Sequence, residues 1–565
     1  MRTVLSTIHS KYIHPSLALP YLAAFCKDAC GEVSIREFTL QEPKPNILAR
    51  LLAENPDNVG FSVYLWNRVM TLELVDALHA ARPDLRIIIG GPEVSFDDEA
   101  LFVRHPGLTA LVSGEGEEPL SNLLRAWSAG RHPDDLTGLI LRLDDNVLTG
   151  PDPRPLNTLD DIPSPFRQGG IDLNRGYVYY ETSRGCPFQC AFCLSARDNR
   201  VRSFSMERIE HDLLWLMERG VSQVKLIDRT FNYNRERART IFSLILKHNR
   251  QTRFHFEIAA DLLDEETLLL LEKVPEGMFQ FEIGVQSTAP QTLDRINRSV
   301  DLGKLYGNIS ALQQRTGVHL HLDLVSGLPG DTYQQVLSGI DRLLELKPDH
   351  LQLEPVKLIP GSPLREKANQ FRLSHDPNPP YSVLHTPEID FASLERLRTI
   401  SRLLDLTWNA GRFATLFSTL RRLAPLSEHL DSLVDFIEQR DLLRHPINQS
   451  ELFTLVWDWL RGSFPETTLP RLRDSLGRDF ALAERVLPNR IPPFLQGEFT
   501  NEELESVSRR VDERRSELRG TGVKVQYFAT TFSDLPPTPG RQTRIFFYLH
   551  RSGQGLEIEE HILPP

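Results

Sequence analysis

Three of the five cysteines in this 565-residue chain fall within eight positions, in the segment ETSRGCPFQCAFC. Cys186, Cys190 and Cys193 are spaced C-x3-C-x2-C, on a loop expected directly after a strand. Iron–sulfur clusters are normally held by four cysteine thiolates, so three on one loop would leave one iron of a four-iron cluster open to something other than protein. The alternatives are a zinc site or three buried thiols. Zinc asks for a fourth ligand and C-x2-C pairs, and the remaining cysteines, Cys26 and Cys30, lie far upstream within LAAFCKDAC. At i, i+4 on an expected helix face they read as buried free thiols, because helical geometry disfavours a bond between them.

Two further sets of residues sit where a ligand would meet a sheet. Glu257 in FHFEIAAD, Gln286 in FEIGVQS and Asp323 in LDLVSGLPGD end expected strands, and Arg298 follows in INRS. A guanidinium forks onto carboxylates, and an acidic side chain at a strand end accepts from ribose hydroxyls; each of these residues would equally serve as a cap or an ion-pair partner. Near the start, SVYLWN, IIIGGPEVS and VSGEGEEPL end three successive expected strands, and their glycines let backbone approach a bulky ligand closely.

These groups need elements to position them. Residues 1–130 alternate short β-branched runs with helical stretches, which predicts a flavodoxin-like, doubly wound parallel sheet. Residues 131–170 read as a hairpin and a Pro-rich connector. Alternation resumes over 171–375 as six strand–helix units, the pattern of a partial barrel, and 376–565 turns to helical periodicity with strands near its end. The basic run RRVDERRSELRG is interleaved with Asp512, Glu513 and Glu517 and reads as a solvated helix face. The net charge of −12 opposes a nucleic-acid partner. With neither a signal-peptide pattern nor a run of about 18 apolar residues, the expected location is the cytoplasm and no membrane is implied.

The three-cysteine motif, with Phe192 before its last cysteine, resembles the radical S-adenosylmethionine superfamily. The resemblance implies a 4Fe-4S cluster on Cys186, Cys190 and Cys193, with S-adenosylmethionine on the open iron and contacted by Phe192, Glu257, Gln286, Arg298 and Asp323. The upstream domain resembles the cobalamin-binding domain that precedes some members, with GGPE and GEGE as recurrent marks. By that likeness Ser62, Tyr64, Gly90, Gly91, Glu93, Gly114, Glu115 and Gly116 would line a cobalamin pocket. Many such domains carry D-x-H-x-x-G after the first strand, whereas this chain has STIHSKYIHP. His9 and His14 remain candidates, and the expectation is cobalt without a protein nitrogen ligand.

The tail resembles an uncharacterised domain that follows such barrels. The implied activity is methyl transfer to an unactivated carbon through a 5'-deoxyadenosyl radical and methylcobalamin, on a small-molecule or peptide substrate, with flavodoxin or ferredoxin as electron donor. Cyclisation or rearrangement on the same cofactors is the first rival, and a non-catalytic cobalamin or redox sensor the second. No catalytic acid or base stands out.

Overall fold

The computed structural model describes residues 1–565 except 12, 13, 15, 27–29, 168, 169, 441, 443, 444, 496, 538, 539, 552, 554, 564 and 565. It divides into two compact units, residues 1–332 with 355–391, and residues 333–354 with 392–565.

The first unit opens on a parallel sheet of β1 (Arg2–His9), β2 (Glu32–Thr39), β3 (Asn58–Ser62), β4 (Arg86–Gly90) and β5 (Leu108–Val112). Its order is β2-β1-β3-β4-β5. The strands are apolar on both faces, as a sheet covered twice requires: Val4, Ile8, Val59 and Ile87 pack with one set of helices, Leu5, Ile88 and Ala110 with the other. The expected hairpin is present. The hairpin of β6 (Leu139–Leu143) and β7 (Asn146–Thr149) pairs antiparallel with β5 and extends this sheet to seven strands. The cysteine pair is corrected, since the first helix runs Ala18–Phe25 and Cys26 caps it. Cys26 and Cys30 therefore do not share a helix face, although both are buried in the apolar core beside Leu5 and Ile88.

After the connector, β8 (Val178–Tyr180) leads into a short antiparallel pair, β9 (Ser183–Arg184) with β10 (Arg202–Ser203), which closes the stem of the three-cysteine loop. β11 (Gln223–Leu226), β12 (Arg253–Ile258), β13 (Phe279–Gln286) and β14 (His319–Ser326) continue β8 as a parallel, open barrel wall. Period-two alternation divides its faces. Phe254, Phe256, Phe279 and Phe281 turn outward and pack with Phe231 and Phe242, with centroids as close as 4.7 Å. The inner face carries Tyr179, Lys225, His255, Glu257, Gln280, Glu282, His321 and Asp323. Parallel strands ordinarily read as continuous apolar runs, so this wall is built to face something polar. The small pair β16 (Ser374–His375) and β17 (Val383–His385) completes the unit.

The second unit includes the helix Tyr333–Glu345 and β15 (His350–Pro355, except for Pro355). Its helices end in an antiparallel sheet of β18 (Lys524–Phe532), β19 (Gln542–His550) and β20 (Leu556–Ile562), the last unforeseen from sequence. Asp479, fully buried, accepts from the amides of Thr415 and Leu416 at 3.0 and 2.8 Å and so holds the start of the helix Ala414–Leu420. In the helix Asn501–Glu517 the basic run is ion-paired, Arg510 with Glu513 and Glu517, Arg514 with Glu517 and Glu559. Among the described residues no helix is long and apolar enough to cross a membrane.

Candidate functional site

Everything that points to chemistry in the first unit lies at strand ends or on the inner barrel face. The three-cysteine loop is fixed at its stem by Asp228, which is fully buried just beyond β11. Its carboxylate accepts from the Thr182 amide (3.1 and 3.2 Å), the Thr182 hydroxyl (2.5 Å) and the Ser183 hydroxyl (2.5 Å). Burial pushes this carboxyl above the usual range, and the Ser183 and Thr182 bonds oppose the push. Gly185 then turns the chain at φ +89°, where a Cβ would stand 2.1 Å from the Arg200 carbonyl. Only glycine fits both the angle and the space.

Cys186 and Cys190 are buried and Cys193 is half-buried. Burial raises the Cys190 thiol, Arg298 opposes that, and the Cys193 and Cys186 thiols lie near enough to disfavour its ionisation further. The three thiols are thus neighbours on one loop. Among the described residues no three His, Cys, Asp or Glu side chains close on a single ion, the arrangement a mononuclear zinc site would need.

Arg298 joins this centre to β13. Its Nη2 donates to the Gly284 carbonyl at 2.6 Å and its Nη1 to the Cys190 sulfur at 3.5 Å. Its Nε is buried without a partner among the described residues, an orphaned donor of the kind that a bound carboxylate would satisfy. Gln286 has φ +71°, at a register shift between β13 and β14. That conformation costs a non-glycine residue on the order of 1–3 kcal/mol and persists only where surroundings enforce it. It folds the Gln286 amide over Gly284, where a Cβ would be 2.1 Å from its nitrogen. Cys190, Arg298 and Gln286 are thereby brought together. Phe192 is half-buried beside them in the loop.

Glu257 and Asp323 meet as part of a wider acidic and imidazole set. His255 Nε2 is 3.3 Å from Glu282, and His321 Nε2 is 3.2 Å from Asp323. The Glu257 carboxyl is held up at about 7, chiefly by burial, with Arg229 opposing and Glu282 and Asp323 adding. Because that value lies above the unfolded 4.5, the folded state binds the proton more tightly, and stability is lost as pH rises between the two values. Without cofactors, Glu257→Gln is expected to unfold near wild type at pH 5 and several degrees above it at pH 8. On the order of 1–3 kcal/mol is at stake. A thermal melt series that finds the same gap at both pH values would show a solvated carboxyl instead.

In the N-terminal sheet, strand order reverses between β1 and β3, and ligands of doubly wound sheets sit at such a switch point. The expected cobalamin-lining residues have varied places around it. Ser62 ends β3, and its carbonyl accepts from Thr7 Oγ1 at 3.0 Å. Tyr64 stacks on Trp66 at 4.7 Å and 3°, and Trp66 is 48% exposed. A broad flat group would find a face there, and the sequence reading did not single out Trp66. Gly91, at φ +111°, passes within 2.6 Å of where a Cβ would strike the Val63 carbonyl. Gly114, at φ +70°, is likewise crowded by Pro153, so chain packing itself accounts for Gly91 and Gly114, while Gly90 and Gly116 have a little more room, 3.2 Å to Val112 and Leu22.

The two carboxylates of the set are engaged by the chain. Glu93 is buried, accepts from the Tyr381 hydroxyl and lies 3.8 Å from Arg68. Glu115 accepts from Arg202 at 2.6 and 3.0 Å and from the Leu156 amide at 2.9 Å. Against burial, Arg202 and Arg184 hold its carboxyl below the usual range. Arg184 also reaches Glu117 at 2.7 Å and Glu181 at 2.8 Å. These ion pairs bind the N-terminal sheet to both stem strands of the cysteine loop, a role that sequence gave no sign of. What GGPE and GEGE offer a ligand is backbone.

His9 Nε2 is 3.2 Å from Glu37, which Arg175 also holds. His14 Nδ1 bonds the Tyr177 hydroxyl, and burial, His9 and Lys225 all lower its pKa. Tyr177 immediately precedes β8 and Tyr64 lies in the electrostatic reach of Tyr179. The switch-point loops thus look onto the inner barrel face.

Comparison with known proteins assigns three segments of the chain. Family models match at residues 4–124 (B12 binding domain), 180–343 (radical SAM superfamily) and 369–523 (a protein family of unknown function, DUF4080). The chain carries a B12 binding domain followed by a radical SAM domain. It is 28% identical over 353 residues to the cobalamin-dependent radical SAM methyltransferase TokK of Streptomyces tokunonensis, covering 58% of this chain and 51% of that protein. It is 27% identical over 374 residues to the uncharacterized methyltransferase PH0819 of Pyrococcus horikoshii, covering 63% and 78%. The chain therefore spans about half the length of TokK. Its fold is similar to that of OxsB, a cobalamin-dependent S-adenosylmethionine radical enzyme, with TM-score 0.57 and 17% identity over 85% of this chain and 83% of that one. In this chain, then, the B12-binding domain and the three-cysteine loop belong to one compact unit.

Proposed function

We propose that this chain is a cobalamin-dependent radical enzyme that transfers a methyl group to an unactivated carbon of a small-molecule or peptide substrate. The reading is supported by two observations in one compact unit: the orphaned Arg298 Nε lies beside the three-thiol loop, and His14, beyond β1, bonds Tyr177 at the start of the barrel wall. When bound, the cluster with S-adenosylmethionine would supply the 5'-deoxyadenosyl radical, and cobalamin the methyl group. Cys186, Cys190 and Cys193 would hold the cluster, with an electron donor of the flavodoxin or ferredoxin type reducing it. Arg298 and Gln286 would orient the S-adenosylmethionine carboxylate and amino end, and Glu257 and Asp323 would accept from its hydroxyls. Tyr64 and Trp66 would give cobalamin a flat seat. Geometry more than acid–base chemistry would select the product.

Anaerobic incubation with substrate and reductant is the test. Expected are 5'-deoxyadenosine and S-adenosylhomocysteine in about equal amounts, and a product heavier by one methylene. Finding 5'-deoxyadenosine with a mass-neutral or hydrogen-depleted product and no S-adenosylhomocysteine would replace methyl transfer with cyclisation or rearrangement.

His9 and His14 are each tied to a protein partner, so cobalt is expected to have no protein nitrogen below it. Electron paramagnetic resonance of the cobalt(II) form should show lines without nitrogen triplet splitting. Splitting that vanishes in His9→Ala or His14→Ala would identify a protein ligand instead.

A further inference from the structure

The inner barrel face carries a cation that the reading above does not use. Lys225 lies on β11 between Val224 and Leu226, which are fully buried on the outer face, so alternation turns its side chain inward. Its ammonium rests 4.6 Å from the centroid of the Tyr177 ring and forms no ion pair or hydrogen bond among the described residues. The neighbouring acids are engaged elsewhere. Glu282 is near enough for Lys225 to help lower its pKa, yet its leading partner is His255, and Asp323 is paired with His321.

His255 is the register partner of Lys225 on the adjacent strand, which places the two backbones about 5 Å apart. The imidazole is 8% exposed, and its Nδ1 has no partner among the described residues. A buried polar atom left unpaired, beside an ammonium whose nearest carboxylate, Glu282, is already held by His255, is costly unless something else satisfies both. Water can bridge both groups, whereas an anionic oxygen also balances the ammonium's charge. With Nε2 donating to Glu282, the imidazolium form presents Nδ1–H as a second donor to that oxygen. The Tyr177 face holds the ammonium in place without neutralising it.

We propose that Lys225 and His255 form the anchor for an anionic oxygen group, a carboxylate or a phosphate, on the substrate of this enzyme. The proposal rests on the reading of the inner barrel face as the reaction chamber. The anchor lies part-way down the wall from the cysteine loop, so it would hold the substrate by an end remote from the reacting carbon.

The test uses holoprotein carrying cluster and cobalamin, oxidised and saturated with S-adenosylmethionine so that Arg298 is occupied. Inorganic phosphate is titrated in one arm by 31P line width and 13C-labelled acetate in the other, with chloride keeping ionic strength constant. Saturable binding of at least one probe is expected, and the tighter one identifies the substrate's anion. Lys225→Gln should weaken that binding by about tenfold or more, and Lys225→Arg should stay within about threefold of wild type. No saturable binding to wild type, or equal binding to Lys225→Gln, overturns the anchor. Cobalamin uptake and reductive formation of 5'-deoxyadenosine, measured on the same wild-type preparation, keep the two readings apart. If both succeed while the anions fail, the anchor alone is wrong; if both fail, the enzymatic reading falls first.

Discussion

Anaerobically reconstituted Cys190→Ala is expected to hold essentially no iron, whereas wild type takes up about four irons and four sulfides. Among the three thiols Cys190 is the one Arg298 touches, and it is buried between the other two in the chain. Removing it leaves two thiolates for a cluster that needs three, and Arg298 Nη1 without its sulfur acceptor. The charge-transfer absorbance should disappear with the iron. Cys26→Ala provides the contrast, because that thiol lies in the apolar core of the N-terminal sheet and its loss should leave the iron content intact. Full iron content and absorbance in Cys190→Ala would end the cluster assignment.

Asp228→Ala should be nearly as damaging, although Asp228 belongs to no motif. Its carboxylate satisfies the amide and hydroxyl of Thr182 and the hydroxyl of Ser183 in a fully buried place. Each donor left unpaired costs about 1–3 kcal/mol, so a loss of at least about 3 kcal/mol is expected. The damage should localise to the loop stem. Hydrogen exchange at the Thr182 amide should lose its protection, and iron incorporation should fall with it. Unchanged protection at Thr182 together with a melting shift below about one degree would show that the loop is held by other means.

The strands of both sheets were legible because parallel strands between helices leave a strong periodic trace, and RIIIGG or RFHFEI has few other readings. The cysteines were legible because chemistry fixes their spacing. Glu115 shows where legibility stopped: a carboxylate at a strand end looks the same whether it faces a ligand or Arg202, 87 residues later. Such pairing depends on tertiary packing, which leaves no local mark. Lys225, His255, Glu282 and His321 are a different case, since QVKL, RFHFEI, FQFEI and HLHLDL each alternate polar with apolar residues. That pattern was present in the sequence, but attention to strand ends passed over strand middles. The grouping of residues 333–354 with the tail could not be read at all, because that helix and strand repeat the local pattern of those before them.

The ion pairs of Glu115 and Glu117 with Arg202 and Arg184 bear on how such a chain can be recombined. A barrel transplanted onto a foreign N-terminal sheet would arrive with two arginines at the base of its cysteine loop that keep only Glu181 and Asp198 and have lost the carboxylates that tie them to the sheet. Exchange of these modules between lineages would therefore have to carry GEGE and the two arginines as one inherited block, and a chimaera cut between them would fail first in loading iron.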